Sequence, residues 1–72
     1  MRLYVWEGVL HDYTPGMAVA LARNATEARL LIAKKLGYKT TKALLASYSG
    51  GEFKQRPTVV TKPAAFYVHG GG

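Results

Sequence analysis

Residues 24–37, NATEARLLIAKKLG, constrain the fold more than any other stretch of this chain. Asn24 and Glu27 have capping-box spacing: the N-cap side chain takes the N–H of the N3 residue, and a Glu at N3 reaches back. Gly37 stands where a helix ends on a residue free to turn left-handed. Between these signals Ala25, Ala28, Leu31, Ile32 and Leu36 fall on one face, with Arg29, Lys34 and Lys35 away from it. Lys34 and Lys35 also suit the negative end of the helix dipole. A helix with one apolar stripe needs a second layer to cover it.

The residues before the helix supply that layer. RLYVWEGVL, residues 2–10, is rich in branched and aromatic side chains and reads as a strand. HDYTPG, residues 11–16, carries turn chemistry in Asp12, Pro15 and Gly16 and reads as a loop. MAVALA, residues 17–22, is a short apolar run that completes an antiparallel hairpin. After the helix, Thr40 or Thr41 can cap a short second helix over residues 42–48, which Ser49-Gly50-Gly51 breaks. EFKQRP, residues 52–57, reads as a connector. TVVT, residues 58–61, is an edge strand closed by Pro63, and residues 65–69 form a last strand. The expectation is a single α+β domain over residues 1–72: a small antiparallel sheet, β-β-α-(α)-β-β, with helix on one face, a two-layer sandwich.

Strand alternation then divides the sheet. Leu3, Val5, Met17, Val19, Leu21, Phe66 and Val68 form the aliphatic set and are assigned to the core. Arg2, Tyr4, Trp6, Ala18, Ala20, Ala22, Tyr67 and His69 are then left on the opposite face. An aromatic face of that kind fits a subunit interface, where Trp and Tyr are enriched. It equally fits a platform on which nucleobases stack.

Composition limits the partners. Ten Lys/Arg against four Asp/Glu give a net charge of +6, which favours anionic ligands or acidic protein surfaces. The 72 residues include no cysteine, so neither a disulfide nor a thiolate zinc site is available, and no metal or cofactor is expected. A chain this short buries only about 60% of its unfolded surface, and a surplus of apolar residues is often covered by assembly, so a homo-oligomer is expected. The start, MRLYVWEGVL, has neither the basic cluster nor the apolar run of a secretory signal. No stretch approaches the roughly 20 apolar residues of a membrane helix, and we expect a cytoplasmic protein with no membrane partner.

Catalysis finds little to work with. His11 and His69 are the histidines, and neither a nucleophile motif nor a phosphate loop is present. Glu7 and Asp12 could flank a site, but an Asp before Tyr-Thr-Pro-Gly organises a turn. No enzymatic activity is expected. The terminal run Gly70, Gly71, Gly72 can present bare backbone N–H groups to an anion.

The segments YVWEGVLHDYTPGMAVALA, ATEARLLIAKKL and PAAFYVHGGG together resemble small uncharacterised proteins of bacteriophage genomes. In character the chain is similar to viral sponges, oligomers that capture nucleotide second messengers in cationic, aromatic-lined pockets. The resemblance implies a non-enzymatic counter-defence protein of the infected host's cytoplasm that sequesters a signalling nucleotide. Tyr4, Trp6 and Tyr67 would stack on bases. Arg2, Arg23, Arg56 and His69 would meet phosphates or base edges, and Gly70 to Gly72 would offer backbone donors. The alternatives are a protein-binding inhibitor of a host defence complex, of anti-CRISPR type, and a single-stranded nucleic-acid binder.

Overall fold

The structure is a computed structural model that describes residues 1–12, 14–47 and 50–67. Three strands form one antiparallel sheet: β1 (Arg2–Asp12), β2 (Thr14–Ala22) and β3 (Thr58–Val60), in the order β2-β1-β3. Two helices, α1 (Ala25–Lys35) and α2 (Thr41–Ala46), and a 3-10 turn (Gly50–Lys54) cover one face. The α+β class holds. The sheet has three strands among the described residues where four are expected, because Ala65 to Tyr67 join no strand. Val68 and His69 of that expected strand lie outside the described residues.

The helix ends form as their sequence dictates. Asn24 Oδ1 accepts the N–H of Glu27 at 2.8 Å, and Glu27 Oε1 accepts the N–H of Arg23 at 3.0 Å. The Glu therefore reaches one residue further back than in the usual capping box. At the other end Gly37 adopts φ +97°, Tyr38 N–H donates to the Ala33 carbonyl, and Gly37 N–H donates to that of Lys34. This is a Schellman ending. Thr40 caps α2 through its hydroxyl, which accepts the N–H of Ala43 at 3.1 Å. We expect Asn24→Ala to cost about 1 kcal/mol of stability, the usual value of an N-cap, seen as a lower urea midpoint at unchanged slope.

The HDYTPG stretch is mostly strand rather than loop, with β1 running to Asp12 and β2 starting at Thr14. Its irregularity is absorbed by register shifts between Glu7 and Val9 and between Val9 and Asp12. Gly8 and Leu10 take φ of +67° and +57° there. Gly16 serves close approach: a Cβ on it would stand 2.7 Å from the Val9 carbonyl oxygen. Glycine at a bulge of this kind is a common device.

The assignment of faces is reversed. Tyr4 lies opposite Ala20 and Trp6 opposite Ala18, and all four are buried against the helices. Leu3, Val5 and Val19 share the other face with Leu21. Val5 is buried there, whereas Val19 and Leu21 are exposed. The reason is steric fit. The β2 alanines face α1, whose own buried residues are Ala28, Ile32 and Ala33, so helix and strand approach closely. Beside them the large rings of β1 fill the space under Leu44 of α2 and Phe53 of the 3-10 turn. The α1 stripe is correspondingly rotated: Ala33 turns inward, while Leu31 and Leu36 are exposed.

Arg29, expected on the solvated side, is half-buried over the core. Its guanidinium carbon stands 5.3 Å from the Trp6 ring centroid, within cation–π range. Arg29 Nε donates to the Phe53 carbonyl at 2.8 Å and Nη2 to the Gln55 carbonyl at 3.2 Å. Trp6 Nε1 donates to the same Gln55 oxygen at 2.9 Å. The Trp6 and Phe53 rings meet at 5.7 Å, tilted by 55°. The residues read as a featureless connector thus form a turn that seals the core.

Candidate functional site: a groove along the edge of the sheet

β2 is an outer strand of the sheet among the described residues, so one side of its backbone has no strand beside it. Along that edge, between β2 and α1, runs a groove of about 320 Å³. Ala18, Val19, Ala20 and Leu21 form one wall, and Leu31 and Leu36 of α1 belong to the other. Four of the large apolar side chains that the fold leaves in water meet here: Val19 is 46% exposed, Leu21 58%, Leu31 45% and Leu36 42%. Among the described residues Lys35 is the one charged residue of the lining. Gly16 to Ala22 carry neither a charge nor a proline, the features that ordinarily protect an outer strand from pairing.

Among the described residues, those expected to hold a nucleotide take up different positions. Tyr4 and Trp6 are core residues, 4% and 1% exposed, and offer no ring face for stacking. Arg23 is committed to Glu27, with Nε and Nη2 both donating to Oε2 at 3.1 and 2.9 Å. Those bonds and the Arg23 backbone N–H hold the Glu27 carboxyl below its ordinary pKa. Arg2 and Arg56 are both exposed but stand apart. Arg56 follows Gln55, whose side chain donates to the Glu7 carbonyl, and residues 2 and 7 of a strand lie roughly 16 Å apart. Tyr67 is 83% exposed. His69 and Gly70 to Gly72 lie outside the described residues.

None of the groove residues was singled out as a site from the sequence. The signal lay in MAVALA, where small and large apolar residues alternate: the small set fits beneath a helix and the large set is left outside. Among the described residues no group of three or more His, Asp or Glu could hold a metal ion, and no helix is long and apolar enough to cross a membrane. Compared with protein-family models, curated proteins and solved structures, the chain matches none.

Proposed function

We propose that this chain is a non-enzymatic binding protein that docks another protein in the β2 groove. The observation that carries the reading is the meeting of an unpaired, uncharged strand edge with four exposed aliphatic side chains. An extended segment added to such an edge gains main-chain hydrogen bonds along the strand and side-chain pockets beside it. An exposed apolar patch bordered by polar surface marks a contact site more often than bare solvent-facing surface. This favours docking of a protein over the sponge, whose stacking residues Tyr4 and Trp6 are enclosed.

Leu21→Lys tests the reading, because a side chain 58% exposed tolerates a charge without disturbing the core. Immobilised protein should retain a protein partner, whether a second copy of the chain or a protein from a bacterial lysate, and the variant should lose it. Equal capture by both would overturn the proposal. Capture of a nucleotide is the second reading, favoured by the exposed ring of Tyr67 and by Arg2 and Arg56, which form no ion pair among the described residues. A panel of linear and cyclic nucleotides separates the two. A ligand that binds the folded state raises the melting temperature, and a protein-docking domain should show no such rise.

A further inference from the structure

We infer that the segment docked in the β2 groove is the C-terminal stretch of a second copy, beginning at Ala64, added as a fourth strand. This rests on reading the groove as a protein-docking site. Two unmatched features of the same chain carry it. The first is the open edge of β2, apolar and unprotected over Gly16 to Ala22. The second is the segment after Pro63, whose sequence Ala-Ala-Phe-Tyr-Val-His has the aromatic and branched composition of a strand. Yet Ala64 to Tyr67 pair with no strand of their own sheet, and Ala64, Ala65 and Tyr67 are exposed.

Geometry opposes pairing within one copy. Residues 61–67 follow β3, which lies on the far side of β1 from β2. Ala64 and Phe66 line a second groove together with Thr58 to Pro63, so the segment starts alongside β3. Reaching its own β2 edge would require crossing the whole sheet. The β2 edge of a neighbour needs no such crossing.

Charge agrees with this occupant. A nucleic acid or an acidic peptide would call for several cations, and among the described residues the groove offers Lys35 alone. Ala64 to Val68 carry no charge, and a strand there would place Ala64, Phe66 and Val68 on one face and Ala65 and Tyr67 on the other. A contact between two different surfaces of the same chain gives a swapped dimer if reciprocal, and otherwise a ring or an open filament, according to whether the rotation closes.

The test uses the full chain and sedimentation velocity between about 5 and 200 µM, a range covering typical micromolar association. The wild type should sediment as an oligomer. Ala65→Pro removes a strand hydrogen-bond donor from an exposed residue, and Leu31→Lys charges the groove from an exposed helix position. Each variant alone should be monomeric and still melt cooperatively, at or below the wild-type midpoint, which shows that it has folded. Mixed, they should re-associate, since one keeps an intact groove and the other an intact tail. A monomeric wild type, or Ala65→Pro that still assembles, would overturn the inference. The parent reading fails separately, if Leu31→Lys retains every protein partner, second copy and lysate protein alike, that the wild type holds.

Discussion

Trp6→Ala should leave the chain without a cooperative thermal transition in far-UV circular dichroism. Trp6 is 1% exposed and packs between Phe53 and the Arg29 guanidinium. Truncating a buried large aromatic costs about 3–5 kcal/mol through lost transfer energy and the cavity left behind. The same change removes the donor to Gln55, although that oxygen keeps its bond from Arg29. Domains are stable by about 5–15 kcal/mol, and one this small belongs at the low end of that range. Trp6→Phe keeps a ring in place and should retain a cooperative but lowered transition. As the single tryptophan, Trp6 also reports on its own surroundings: native emission should be blue-shifted and move to the red on unfolding. A Trp6→Ala variant that melts like the wild type would mean that the ring lies outside the core.

The second large effect is expected at Gly50. It is buried beneath the end of α2, and a Cβ built on it would overlap the Leu44 carbonyl oxygen and stand 2.7 Å from Ser47 Oγ. The Leu44 oxygen accepts from both the N–H and the hydroxyl of Ser47, so it cannot give way without loosening the end of the helix. Leu44 and Phe53, both fully buried, would have to part. Overpacking of this kind costs about 1–3 kcal/mol, and contact with backbone rather than a yielding side chain puts Gly50→Ala at the upper end. Gly51→Ala is the control, since a Cβ there meets nothing within 4 Å. Urea unfolding should show a much lower midpoint for the first variant and little change for the second. Equal midpoints would refute the packing described for Gly50.

The contrast between these residues shows what the sequence could disclose. Helix ends were legible because capping is local: Asn24, Glu27, Gly37 and Thr40 act on neighbours within five residues. β1, β2 and β3 were legible from composition, although Ala65 to Tyr67, read as strand on the same ground, join none. Which side of the sheet faces the helices was not, because alternation marks two faces without saying which is covered. Hydrophobicity favours Leu and Val for the core, and here fit prevails: small residues beneath α1, large rings where three elements meet. Phe53 escaped notice as one apolar residue in a polar stretch, and Arg29 because its partners, Phe53 and Gln55, lie 24 and 26 residues away. The groove could not be read ahead of the faces, since its exposed aliphatic residues, Val19, Leu21, Leu31 and Leu36, were the ones assigned to the interior.

The bond from Trp6 to Gln55 spans 49 residues, and it bears on the order in which the structure can assemble. β1 and β2 are neighbours in sequence and can meet within microseconds, as hairpins do. β3 can pair with β1 only after a loop of some fifty residues has closed, at an entropic cost that must precede any reward. A two-stranded hairpin is marginal by itself. Tyr4 and Trp6 therefore gain the last of their cover only when residues 50–60 reach the hairpin. The contact that seals the core is thus among those with the longest loops to close, and it forms late.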